Sequence, residues 1–188
     1  RPVVYQNESK ETEEVDDESD TTKKRKQLQK NADKLERKNF KSRPEVLRLL
    51  ACDCQVDDEF MMMLARTMNS VRSVEYLDVS WNPIGFKGGV AISNMLFSTA
   101  GFYLLELNLS NCQVGDVVMG QIADALLTPT CNLNILNVSE NNVTKLGCSY
   151  IAGSLKENTR LRELNLSNNA IGSMGARDLA ACLSDNNT

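Results

Sequence analysis

Histidine is missing from this chain of 188 residues. That removes the commonest general base and the commonest metal-ligating side chain together. Without it neither a Ser-His nor a Cys-His nucleophile can be assembled. Aromatic residues make up only 5% of the sequence, so any core must be aliphatic, and the apolar share of 41% is large enough to build one. No apolar run approaches 18 residues, so no segment reads as a membrane-spanning helix. A Gly-x-x-x-x-Gly-Lys-Ser/Thr phosphate loop is also lacking, and Gly85 to Gly89 does not supply one. The first twenty residues are polar and acidic, unlike a secretory leader. No Met opens the chain and its internal pattern runs to Thr188, so the expectation is a segment of a longer protein.

Charge is present but unevenly distributed. Residues 1–20 carry eight acids against Arg1 and Lys10, net −6; residues 21–45 carry ten bases against Asp33, Glu36 and Glu45, net +7; residues 46–188 return to net −5. The first block has too little apolar surface to offset its chain entropy and is expected to be a disordered acidic segment. The second is expected to be a basic helix or linker. Leu28, Ala32 and Leu35 form a thin stripe at i, i+4 and i+7, able to cap the first unit of the chain beyond residue 45. Lys23-Lys24-Arg25-Lys26 has the look of a short import signal, a pattern common in solvated faces. The mildly acidic remainder is a poor binder of phosphate backbones.

That remainder is periodic. The stretch Leu161-x-x-Leu164-x-Leu166-x-x-Asn169-x-Ile171, followed by Gly175, is its clearest unit. Equivalent units begin at Val46, Val74, Leu104 and Leu133, with starts 28, 30, 29 and 28 residues apart. The first, fourth and sixth positions of each are apolar, and the ninth reads Cys54, Asn82, Cys112, Asn141 and Asn169. A second apolar pair comes after these on a helix: Leu64 and Met68, Ile92 and Leu96, Ile122 and Leu126, Ile151 and Leu155, Leu179 and Leu183. A small residue comes after the first of each pair, letting helix and strand approach. Gly88, Gly147 and Gly175 occupy the fifteenth position, where Phe60 and Val118 depart from the pattern and predict a helix that stands off or starts differently.

Units of this length, with a full helix and with Asn and Cys sharing the ninth position, resemble leucine-rich repeats of the ribonuclease-inhibitor type. The resemblance covers Val46 to Thr188. It implies an α/β fold, a right-handed solenoid or horseshoe segment with parallel strands on the concave face and helices on the convex face. Strands stack about 4.8 Å apart while helices need about 10 Å, so the stack must curve. The expected organisation is 1–20 acidic, 21–45 basic, and five repeats at 46–73, 74–103, 104–132, 133–160 and 161–188. In that family the concave face and its rim usually bind another protein. Relatives include a GTPase-activating protein of Ran and the sensor parts of nucleotide-binding immune receptors, so a small-GTPase regulator and an immune-type sensor stand as alternatives to a scaffold.

The repeat sets out three concave columns. The third position reads Arg48, Tyr76, Glu106, Ile135 and Glu163; the fifth Leu50, Asp78, Asn108, Asn137 and Asn165; the eighth Asp53, Trp81, Asn111, Glu140 and Asn168. Aromatics ringed by acids suit an interface anchor, because they bury much area with few rotors while the acids steer a basic partner. The expected binding face is therefore centred on Tyr76, Asp78, Trp81, Glu106 and Asn108, with Glu140 and Glu163 as rim charges. The bland alternative is that Trp81 packs over Pro83. The expected partner is another protein with a basic surface. No small-molecule substrate, cofactor, metal, catalytic residue or membrane is expected, and nucleic acid only through Lys23 to Lys26. The expected placement is cytoplasmic, with nuclear or cytoskeletal association as variants. Cys52-x-Cys54 lacks the second pair that a zinc site needs, and the six cysteines read as reduced thiols. Met61, Met62, Met63 and Met68 cannot all face inward on one helix, so core packing is expected with one or two exposed. Asn108, Asn137, Asn142 and Asn165 each open a glycan-acceptor tripeptide, discounted because three of them arise from the strand repeat itself. Beyond Leu164 and Leu166 there is no polar cap, so an open apolar edge and a tendency to self-associate are expected there.

Overall fold

The computed structural model describes residues 47–70 and 73–186. The acidic and basic blocks, and Val46, lie outside the described residues. Alternation of inward Leu/Val with polar neighbours gives five short strands: β1 Leu47–Leu50, β2 Val74–Asp78, β3 Glu106–Asn108, β4 Ile135–Asn137 and β5 Glu163–Asn165. They form one parallel sheet in sequence order. Each is followed by a helix: α1 Asp58–Met68, α2 Gly85–Phe97 with a short α3 Thr99–Tyr103 behind it, α4 Gly115–Leu126, α5 Lys145–Leu155 and α6 Gly172–Asp185. This is the α/β solenoid that the repeats imply. Among the described residues no helix is long and apolar enough to cross a membrane.

Register turns sequence positions into columns. Arg48, Tyr76, Glu106, Ile135 and Glu163 stand side by side, as do Leu49, Leu77, Leu107, Leu136 and Leu164, and Leu50, Asp78, Asn108, Asn137 and Asn165. The fourth-position column runs through the core, with Leu77, Leu107 and Leu136 fully buried. Burial of each such side chain contributes about 1.5–3 kcal/mol. Met61 and Met68 join that core from α1, whereas Met63 is exposed.

The ninth-position Asn explains how the turns stack. Asn141 Oδ1 accepts the backbone N–H of Cys112 at 2.9 Å and of Val114 at 3.2 Å, while Nδ2 donates to Leu109 O at 2.6 Å and Ser139 O at 2.9 Å. Asn82 does the same for Cys54, Val56, Ala51, Val79 and Ser80, and Asn169 for Asn141, Val143, Val138, Leu166 and Ser167. One amide thus satisfies buried backbone groups in two repeats. Cys112 takes that place in the third repeat. Its Sγ donates to Val79 O at 3.2 Å. Burial pushes the thiol up to about 11 from 9.0, against the opposing pull of backbone bonds from Asn82 and Trp81. The fold therefore favours the neutral thiol. Its contribution is complete below the ordinary thiol value and is lost as pH rises toward 11. Cys112→Ala is expected to cost about 2 kcal/mol less at pH 10.5 than at pH 7 in urea melts; a gap independent of pH would refute this.

A polar residue at the fifth position closes β2 to β5, whereas β1 has Leu50 there. Oδ1 of Asp78, Asn108, Asn137 and Asn165 accepts the N–H two residues on, from Ser80, Ser110, Ser139 and Ser167. These Asx turns account for the recurrent Asn-aliphatic-Ser. The chain then passes through left-handed backbone at the eighth position in every repeat: Asp53, Trp81, Asn111, Glu140 and Asn168 have φ between 51° and 59°.

Two departures from the glycine column have a local reason. Gly88 and Gly147 lie under the carboxylates of Asp58 and Asp116, which accept their N–H groups from the preceding repeat. A Cβ on Gly147 would stand 2.5 Å from Asp116 Oδ1. Phe60, in the first described repeat, is 39% exposed. Val118 is fully buried because α2 of the preceding repeat carries Gly89, whose added Cβ would lie 2.7 Å from Val118 Cγ2. Helix α4 accordingly starts at Gly115, the twelfth position, as α2 and α6 start at Gly85 and Gly172. The expected stand-off does not occur in this repeat.

At the last repeat, Leu161, Leu164, Leu166, Ile171 and Leu179 are only partly buried, and Leu183 is 68% exposed. Asn186 still donates to Leu155 O at 2.6 Å, as Asn158 donates to Leu126 O at 2.6 Å. These two Asn residues form a second ladder at the helix C-termini, where orphan carbonyls need donors.

Candidate functional site

The strand register brings Tyr76, Asp78 and Asn108 into direct contact on the sheet's open face. Asp78 is the hub. Oδ1 accepts from Ser80 N at 2.9 Å and Ser80 Oγ at 2.6 Å; Oδ2 accepts from Asn108 Nδ2 at 3.0 Å and Tyr76 Oη at 3.3 Å. Burial alone would raise the Asp78 carboxyl, but the bonds from Ser80, Asn108 and Tyr76 outweigh it and hold the group below its ordinary value. The Tyr76 phenol moves up, through burial first and the neighbouring Asp78 charge second. Where three repeats place neutral Asn in this column, the second places a fixed anion.

Arg48 completes the cluster. Its guanidinium carbon lies 4.3 Å from the Tyr76 ring centroid, a cation–π contact across the β1–β2 register. Sequence reasoning put Arg48 in the right column but gave it no part. The signal was available: an Arg one strand away from a Tyr at the same position. Ser80 was missed as well, though its fixed distance from Asp78 marks an Asx turn.

Glu106 neighbours Tyr76 on the next strand and is half-buried. Beyond it Ile135 interrupts the acidic column before exposed Glu163 on β5. Trp81 stands apart from the hydrogen-bonded cluster, on the turn that leaves β2. It is 53% exposed with φ 59°, and its backbone N–H donates to Ser110 O at 2.8 Å. A bulky residue in the left-handed region is uncommon and costs of order 1 kcal/mol. Glu140 belongs to a different part of the rim. With Asn111, Gln113, Asn142 and Asn168 it lines an open polar shelf along the turns of the last three repeats, and it accepts from Asn168 Nδ2 at 3.5 Å. The seven expected residues thus form one bonded trio, with Glu106 adjoining it, and three outlying positions on the rim and on β5.

The thiols offer no further chemistry of this kind. Cys112, Cys131, Cys148 and Cys182 are buried, burial raises the first three, and no two of the six cysteines are joined in a disulfide. Among the described residues no cluster of Cys, Asp and Glu has the geometry to hold a metal ion.

Known proteins share both pattern and architecture with this chain. A family model described as Leucine Rich repeat matches residues 72–93, 102–117, 131–152 and 157–180. Ribonuclease inhibitor of Sus scrofa is 40% identical over 88 residues, covering 47% of this chain and 19% of the relative. Ribonuclease inhibitor of Mus musculus is 34% identical over 82 residues, covering 44% of this chain and 18% of the relative. The chain therefore spans less than a fifth of the length of these relatives. Among solved structures, the tropomodulin C-terminal domain of Caenorhabditis elegans superposes with a TM-score of 0.60 at 13% identity, covering 85% of this chain and 92% of that one. Leiomodin-1 actin-binding site 2 gives a TM-score of 0.59 at 19% identity, covering 89% and 90%. The structural likenesses are likenesses of fold. Sequence period, strand register, the stacked ninth-position Asn and the matched relatives agree, and the chain is a leucine-rich repeat protein of the ribonuclease-inhibitor type.

Proposed function

We propose that this chain is a non-enzymatic protein-binding module that captures a basic segment of its partner on the sheet's open face. Repeats of this type provide a protein-interaction surface, and the Asp78 cluster is the observation that gives the surface its character. A carboxylate bonded four ways, with a Tyr ring already stacked under a guanidinium, preorganises this part of the face and holds the neighbouring acids ready for Arg and Lys. Because Asp78 is satisfied internally, it positions Tyr76 and Asn108, while Glu106, Glu163 and Glu140 supply the steering charge. Trp81 supplies exposed aromatic area beside them. The matched part of leiomodin-1 is called its actin-binding site 2, but that likeness is of fold and brings no partner to this chain.

A decalysine peptide is the probe. At low salt it is expected to bind the full chain, and Trp81→Ala with Glu106→Lys should weaken capture at least tenfold, about 1.4 kcal/mol. Binding should also weaken steeply as salt rises. Unchanged affinity in the double variant, with its melting curve intact, would sink the proposal.

A further inference from the structure

We infer that the basic block at residues 21–45 is an intramolecular occupant of the same open face, competing there with outside basic segments. The inference rests on the reading of that face as a receptor for basic segments. The block carries ten bases against three acids, net +7, and directly precedes β1. The columns it would meet hold Asp53, Asp78, Glu106, Glu140 and Glu163 against Arg48 alone.

Arg48 supplies the structural precedent. It is the next base after Arg43, and it already lies on the face, with its guanidinium over the Tyr76 ring. The bases before it, from Lys23 to Arg43, have the same chemistry, and the acids of the face lie beyond Tyr76. Reach is not limiting. Four strand spacings of about 4.8 Å separate β1 from β5, whereas twenty residues can extend over about 65 Å. Tethering raises the block's effective concentration to the millimolar range. A free basic segment must therefore compete with one that loses little translational entropy.

Trp81 is the only tryptophan in the chain and stands on the rim of this face, so it reports occupancy directly. The comparison is between the full chain and a full-length variant in which Lys23, Lys24, Arg25, Lys26, Lys30 and Lys34 are all Gln, lowering the block from +7 to +1. Acrylamide, a neutral quencher, is titrated at several salt concentrations. In the parent chain, Trp81 quenching is expected to rise about twofold between about 0.02 M and 0.5 M salt as the block is released. In the Gln variant it should be high throughout, and decalysine should bind the variant about tenfold more tightly than the parent. Equal, salt-independent quenching in both chains overturns the inference; that is also the result expected if the block pairs with the acidic residues 1–20 instead. The two readings fail separately. If decalysine binds both chains equally well, the receptor stands and the occupant falls. If it binds neither while the quenching shift persists, the occupant stands and capture of outside basic segments falls.

Discussion

Asn141→Ala should remove about 4 kcal/mol from the stability of the chain, more than most single substitutions. Asn141 is fully buried, and its side chain makes hydrogen bonds to Cys112 N, Val114 N, Leu109 O and Ser139 O. An Ala methyl leaves two donors and two acceptors in the interior of the stack. Each buried group left unpaired costs about 1–3 kcal/mol, reduced where a carbonyl keeps another partner. The equivalent change at Asn169 breaks bonds of the same kind. Asn169 is only half-buried, so water can replace the amide, and about half the loss is expected there. Urea unfolding followed by far-UV circular dichroism measures both. A loss below about 1 kcal/mol for Asn141→Ala, or equal losses at the two sites, would show that the ladder is not what joins the repeats. Damage in the middle of a stack acts on nearest-neighbour coupling, so a split transition is a further expected sign.

The regular part of the fold was legible because one period fixes everything in it. Strand, Asx turn, left-handed eighth position and ninth-position Asn recur at constant offsets, so the lateral columns can be read from the sequence before any pairing is known. Tyr76 beside Glu106 and Asp78 beside Asn108 come from counting alone. Features that occur once were not legible in this way. Helix α3 fills the longest repeat, and no other repeat supplies a template for it. The Asp116 bonds to the N–H groups of Thr144 and Gly147 join two repeats through a position that is Asp in only two of five. The second ladder recurs, but over Asn158 and Asn186 alone, too few for a pattern.

For the candidate site the limit was different. Membership of the face came from the columns, but the division of labour did not. Asp78 looked like one acid among several; its four hydrogen bonds make it an internal anchor rather than a free charge. From the sequence, Trp81 fits either an interface residue or packing over Pro83. More than half its surface is exposed, and its backbone sits in the left-handed region. Side-chain partners depend on distances of tenths of an ångström, and no periodicity carries that information.

Gly89 and Val118 give the sharpest test of compensation between repeats. Gly89→Val should cost about 3 kcal/mol, because its new Cβ would lie 2.7 Å from Val118 Cγ2 and 2.9 Å from Cγ1 in a fully buried seam. The helices cannot separate to make room without opening the core between β2 and β3. Val118→Gly alone should also destabilise, through the cavity it leaves and the lower helix propensity of Gly. The double exchange, Gly89→Val with Val118→Gly, keeps the composition and the total volume of the seam and moves the branched side chain from one helix to its neighbour. It also restores Gly to the fifteenth position, where Gly88, Gly147 and Gly175 already stand. The exchanged chain should therefore be more stable than either single variant, with a favourable coupling of about 2 kcal/mol in the double-mutant cycle. Additive losses would mean that Val118 and Gly89 are tolerated independently, and that the missing glycine of the third repeat has another cause.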